Sequence, residues 1–135
     1  MHHNNLLGLD VGQARIGIAR GSTMARIAEP LAVVDTDQAT ADISDIIKEH
    51  QVDGIVVGLP RGLNGQETDQ TKWVRQWAEE LKSVIDTPLY WQDEALTTKL
   101  AEELSSKKSH GADAEAAAII LQDWLDTPEA ERVAW

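Results

Sequence analysis

The stretch "VDGIVVGLP", residues 52 to 60, constrains this chain more than any other. Asp53-Gly54 and Pro60 bound a short apolar run with no polar alternation inside it. A strand of that kind shows neither face to water, and such strands belong to parallel arrangements with helices packed above and below. The flanking patterns supply helices. "ATADISDIIKEHQ" puts Ile43, Ile46 and Ile47 on one face and Asp42, Asp45, Lys48 and Glu49 outside. From about Thr68 to Ile85, a wide apolar stripe carries Trp73, Trp77 and Leu81 with Val74, Ala78 and Val84. Trp73 and Trp77 read as core aromatics rather than as stacking platforms.

The rest of the chain completes an α/β pattern. "LLGLDVGQARIGIARGS" (6 to 22) is a strand, a tight turn at Gly12 to Ala14 and a return strand. "RIAEPLAVVDT" (26 to 36) is a third strand, in which Pro30 suits an edge or a bulge. "PLYWQDE" starts another strand after Thr87-Pro88. "TTKLAEELSSK" is a helix capped by Thr97 or Thr98, and "KKSHGA" is a polar loop. "DAEAAAIILQDWLD" is the last helix, ended by Thr127-Pro128, and the tail from Glu129 is expected to be loosely ordered. The order β-β-β-α-β-α-β-α-α implies a mixed five-stranded sheet with helices on both faces. At 135 residues the expectation is one domain spanning residues 1–135.

Composition narrows the chemistry. There is no cysteine, which excludes disulfides, thiolate metal sites and cysteine catalysis. No secretory leader and no membrane-length apolar run is visible, so the expected location is the cytoplasm, away from membranes. Lys+Arg of 12 against Asp+Glu of 23 gives a net charge of −11, which disfavours a phosphate backbone as partner. The charge is polarised, however. Residues 1 to 26 carry Arg15, Arg20 and Arg26 against Asp10 alone, whereas Asp113 to Arg132 is strongly acidic.

Acids recur at the element ends. Asp10 closes the first strand, where it is either turn chemistry before Gly12 or a functional group. Asp93 and Glu94 finish a later strand, and alternation puts them on opposite faces. The stripe Ala116, Ala117, Ile120, Leu121 and Trp124, extended back one turn, lands on Asp113, an inward acid or an N-cap. Sites in parallel sheets form outside the carboxyl ends of the strands. Two carboxylates at about 4 Å repel by roughly 4 kcal/mol at an effective dielectric near 20. A cation offsets that load, and hard oxygen ligands select Mg²⁺ or Mn²⁺. Such ions activate water against a phosphodiester.

Four blocks, "GLDVGQARIGIA" (8 to 19), "VGLPRGLNGQE" (57 to 67), "DEALTTKLAEEL" (93 to 104) and "DAEAAAIILQDWLD" (113 to 126), resemble in order the signature blocks of the YqgF/RuvX family. The resemblance implies a ribonuclease H-like fold and a divalent-metal nuclease. Its members are described as Holliday junction resolvases and as nucleases trimming the 5′ end of precursor 16S ribosomal RNA. It further implies catalysis and metal binding by Asp10, Glu94 (or its neighbour Asp93) and Asp113. The implied partner is structured RNA or branched DNA, bound by a monomer or homodimer. The family has an arginine after the acid pair where this chain has Ala95, and Arg20 is a candidate to replace that charge.

Supporting candidates follow. Arg15, from the "RIG" block, either grips phosphate or is a solvated strand arginine. Arg61 lies in the glycine-bearing loop "PRGLNGQE", whose amides are an anion seat or a mere strand-to-helix connection. Thr97 caps a helix, with a phosphate contact implied by the family. Lys107 and Lys108, with Lys99 and His110, form a basic cluster ahead of Asp113 that can guide a backbone toward the acids, His110 being a candidate proton shuttle. Two other functions compete with the nuclease: a non-catalytic nucleic-acid or protein binding module, and a fragment of an actin-like ATPase, whose phosphate hairpin "GLDVGQARIGIA" also resembles.

Overall fold

The unbroken apolar run lies where its composition requires, in the middle of the sheet with a parallel strand on each side. The computed structural model of the protein describes residues 5–62, 65–95, 114–129 and 132–134. Its strands are β1 (Asn5–Val11), β2 (Arg15–Ser22), β3 (Ala28–Asp35), β4 (Gly54–Arg61), β5 (Leu89–Ala95) and β6 (Val133–Ala134). The helices are α1 (Ala39–His50), α2 (Asp69–Lys82) and α3 (Ala114–Asp126), with a 3₁₀ turn over Thr36–Gln38. The sheet order is β3-β2-β1-β4-β5-β6. β1, β4 and β5 are parallel, while β2, β3 and β6 run antiparallel to their neighbours.

Strand alternation divides the core in two. Leu7, Leu9, Ile16, Ile18, Ile55 and Val57 point to one face, where Ile43 of α1 and Val74, Trp77 and Leu81 of α2 bury them. Leu6, Ala19 and Val56 point to the other, against Ala117, Ile120, Leu121 and Trp124 of α3. β4 is therefore apolar from Gly54 to Pro60, because it has a helix layer on each side, and turns polar only at Arg61. Gly8 sets how closely α3 approaches. A Cβ there would stand 2.6 Å from Leu121 Cβ and 2.9 Å from the Ala117 carbonyl oxygen.

Pro30 lies on the outermost strand, beside a register shift between Ile18 and Ala19, as its missing N–H demands. The five expected strands form, and a sixth joins them. The tail is not loose: Val133 and Ala134 pair with Trp91 and Tyr90 of β5. The cause is Arg132, whose Nε donates to the carbonyls of Trp124 (3.2 Å) and Thr127 (3.1 Å) and whose Nη2 donates to that of Leu125 (3.2 Å). The Leu125 carbonyl is one that a helix end leaves orphaned, whereas that of Trp124 also accepts from Thr127 N at 3.2 Å. The guanidinium also stacks 4.1 Å over the Trp124 ring. Val84 departs from the expected stripe. α2 stops at Lys82, and Val84 is 62% exposed. The expected helix from Thr97 lies outside the described residues.

Candidate active site

β1 ends Asp10–Val11, and Asp10 is half-buried. Leu7, Leu9 and Val11 fill the α1/α2 face, so alternation gives Asp10 to the face of α3. Its neighbours in the sheet carry no side chains. Asp10 pairs with Gly17 on β2, and the Leu9–Val57 register sets Gly58 level with it on β4. The hairpin tip is tied down from outside: Thr36 Oγ1 donates to the Gly12 carbonyl (2.8 Å), and Thr36 N to that of Ala14 (3.0 Å).

The direction of α3 follows from its contacts. Ile120 lies over Gly58, level with Asp10, whereas Trp124, its ring 5.3 Å from that of Tyr90, lines a cavity with Leu6 and Asp53 at the amino ends of β1 and β4. The helix therefore runs against β1, β4 and β5, and its amino terminus reaches their carboxyl edge. Asp10 stands at that edge, which is also the positive end of the helix dipole. Asp113, one residue before α3, lies outside the described residues, as do Thr97, Lys99, Lys107, Lys108 and His110.

The two acids of β5 separate by parity. Tyr90 packs on the α3 side and Trp91 in the α1/α2 core. Position 94 shares the parity of Tyr90, and Asp93 that of Trp91. Asp93 is exposed and accepts from Arg61 Nε at 3.2 Å, on the face opposite Asp10. Position 94 pairs with Pro60, two strand spacings from β1, or about 10 Å. The strand between them presents Gly58, which Ile120 of α3 covers: a Cβ there would stand 2.5 Å from its Cδ1. Among the described residues, no three Asp, Glu or His side chains group closely enough to hold a metal ion. Asp10 contributes the kind of hard oxygen donor that Mg²⁺ and Mn²⁺ prefer.

Arg15 opens β2, half-buried and two positions beyond Gly17 on the α3 face. That makes it the diagonal neighbour of Asp10, about 7–8 Å away across the ladder. Arg20 does not replace the charge expected at position 95. It pairs with Leu7 near the amino end of β1, has the parity of Ile18, and donates to Glu29 at 2.7 Å. The glycine loop is not an open anion seat at its described positions. Gly62 N donates to the Gln66 carbonyl (2.8 Å), Gly65 N to that of Gly62 (2.9 Å), and Arg61 Nη1 to that of Gly65 (2.8 Å). A capping box of Thr68 and Thr71 starts α2, and Thr71 Oγ1 donates to the Pro60 carbonyl, fastening the helix to β4.

Arg75 forms two bonds to Glu67, at 3.2 and 2.8 Å, and lies 5.5 Å from the Trp91 ring centre. Those hydrogen bonds hold the Glu67 carboxyl below its ordinary range, helped by the charges of Arg75, Arg61 and Lys72. Neither this pairing nor Arg61–Asp93 has a local signal, because the partners sit on different elements. A cavity of about 270 Å³ lies elsewhere, at the amino ends of β1 and β5, lined by Leu6, Asp53, Tyr90, Trp124 and Arg132.

The family model described as "RuvX: Holliday junction resolvase" matches residues 4–127. The chain belongs to the RuvX family. This RuvX-family chain is 42% identical over 130 residues to a protein of Anaeromyxobacter sp. (strain Fw109-5) named "Putative pre-16S rRNA nuclease", covering 89% of this chain and 95% of the relative. A protein of the same name from Hydrogenovibrio crunogenus is 38% identical over 124 residues, covering 90% and 92%. Among solved structures, Thermus thermophilus RuvC in complex with a Holliday junction substrate superposes with a TM-score of 0.60 at 14% identity, covering 98% of this chain and all of that one. The likeness to RuvC identifies the fold as ribonuclease H-like. The activity class that the family and its relatives define is a nuclease, a hydrolase of phosphodiester bonds. Within this family the β1–β2 hairpin belongs to a nuclease fold, which removes the motive for an ATPase fragment.

Proposed function

We propose that the chain hydrolyses phosphodiesters at the 5′ end of precursor 16S ribosomal RNA, with a divalent cation held by Asp10, Glu94 and Asp113. One observation carries the site: Asp10 ends β1 on the α3 face, flanked by Gly17 and Gly58, at the edge where α3 begins. The names of the relatives support the substrate. Three carboxylates from β1, β5 and the start of α3 are an all-oxygen donor set, suited to Mg²⁺ or Mn²⁺. Such a cation, when bound, makes water nucleophilic near neutral pH and offsets charge developing on the phosphate.

The chain's own groups do the rest. Water attacks phosphorus, the bond to the 3′ oxygen breaks, and a 3′-hydroxyl and a 5′-phosphate remain. Arg15, diagonal to Asp10, offers its guanidinium to a nonbridging phosphate oxygen. Lys107 and Lys108 draw the backbone toward the edge. Asp93, paired with Arg61, takes no part in holding the cation.

Branched DNA is the second substrate reading, favoured by the family description and by the RuvC complex with a Holliday junction. Labelled precursor-rRNA 5′ ends and a four-way DNA junction, each incubated at low salt with Mn²⁺ or Mg²⁺, decide between them. Cleavage of the RNA by wild type, lost in Asp10→Asn and Asp113→Asn, is the expected result. Undiminished cleavage by Asp10→Asn would overturn the mechanism. A folded wild type that binds the RNA and cleaves neither substrate would be a non-catalytic binding module.

A further inference from the structure

We infer that Arg61 is a positioning residue, clamping the end of β5 from the α2 side so that position 94 is held toward Asp10; the inference rests on Glu94 being a ligand of the proposed site. β5 is poorly secured just where it matters. On its outer side β6 pairs only with Tyr90 and Trp91, so the last four residues of β5 are held by the β4 ladder alone among the described residues. That ladder ends with Arg61 opposite Ala95. Strand ends fray when few bonds hold them, and fraying here would swing position 94 away from β1.

The side chain of Arg61 meets this weakness directly. Its Nε donates to Asp93 Oδ1 (3.2 Å), and its Nη1 donates to the Gly65 carbonyl (2.8 Å), so one guanidinium ties β5 to the loop after β4. Gly65 takes that position with φ of +75°, a conformation that L side chains rarely adopt. Two residues earlier on the same face, Trp91 lies under Arg75, itself held by Glu67. Trp91 and Asp93, both on the α2 side, are thus gripped by an arginine anchored elsewhere. The pairing also neutralises Asp93, whose charge would otherwise add to the repulsion at the neighbouring acids. A phosphate-gripping arginine has a different look: it faces the acids and keeps donors for the ligand. Arg61 is 26% exposed in its side chain, spends two donors on protein oxygens and lies on the other face.

The test compares wild type, Arg61→Ala, Arg61→Lys, Asp93→Asn and the double variant Arg61→Ala/Asp93→Asn, all as the full chain. Three quantities are measured: Mn²⁺ affinity by calorimetry without RNA, kcat and KM for precursor-rRNA cleavage, and amide exchange in residues 92–95. The clamp predicts that Arg61→Ala and Asp93→Asn each weaken Mn²⁺ binding about tenfold, the low end for outer-shell groups. kcat falls with it and KM for RNA stays put. Exchange in the end of β5 quickens, Arg61→Lys restores part of the loss, and the double variant is no worse than either single change. A raised KM with a salt dependence flatter by about one unit, unchanged Mn²⁺ binding and an inert Asp93→Asn would make Arg61 a phosphate contact and overturn the clamp. Wild-type values in every variant would overturn it too. If wild type itself neither binds Mn²⁺ nor cleaves, the site reading has failed, and exchange at the end of β5 still tells whether Arg61 holds the strand.

Discussion

A single missing methyl group sets the distance between α3 and β1. A Cβ at Gly8 would meet the Ala117 carbonyl and the Leu121 Cβ, neither of which can rotate away. Gly8→Ala should therefore destabilise by about 1–3 kcal/mol, as overpacking does. At Gly58 the nearest atom is Ile120 Cδ1, at 2.5 Å, the far end of a side chain that can change rotamer. Gly58→Ala should cost less, and urea unfolding of the two variants checks the order. Glu67 gives a pH signature. Its folded carboxyl titrates below the ordinary carboxylate range, chiefly through the Arg75 hydrogen bonds. A depressed acid stabilises above its unfolded value, and that contribution is lost as pH falls through its folded value. The stability difference between wild type and Glu67→Gln should thus be full at neutral pH and vanish in acid. A difference that grows in acid would contradict the pairing.

At the scale of elements, the C-terminal strand and α3 depend on one side chain. Arg132 occupies three carbonyls at the end of α3 and covers the Trp124 ring. Its removal takes a donor from the Leu125 and Thr127 carbonyls and uncovers the ring. Arg132→Ala should cost about 1–3 kcal/mol and shift the tryptophan fluorescence before global unfolding. An unchanged Tm would refute the clasp. The β5 acids teach a related lesson. Alternation makes plain from the sequence that positions 93 and 94 part, but which of them shares the face of Asp10 depends on which face Tyr90 and Trp91 take, and Trp124 and α2 decide that.

For the whole molecule, the proposed acid cluster carries a cost in the absence of metal. Asp10→Asn removes one member of a repelling set, so the metal-free variant should melt higher than metal-free wild type. Mn²⁺ at a hundred times its dissociation constant should add about 2.7 kcal/mol to wild type and far less to Asp10→Asn. Thermal melts with EDTA and with Mn²⁺ read both signs. A variant that melts lower in EDTA would place Asp10 in a structural role. The −11 net charge does not oppose a nucleic-acid partner if Arg15 and the lysines before Asp113 gather at the carboxyl edge. No helix among the described residues is long and apolar enough to cross a membrane.

The chain's own order of residues determined the types of β1 to β5 and of α1 to α3, the alternation along each of those strands and the carboxyl-edge position of Asp10. Those properties are local: side-chain period and turn chemistry act over a few residues, and the run from Val52 to Pro60 needed no partner to reveal that both its faces are buried. Tertiary structure alone decided that Arg61 answers Asp93 across 32 positions, that Arg20 serves Glu29 at the far end of the hairpin, and that Arg132 fastens the tail to α3. Charges carry no period, so their partners are chosen by which strands lie side by side, and that choice belongs to the packing of the sheet between its two helix layers.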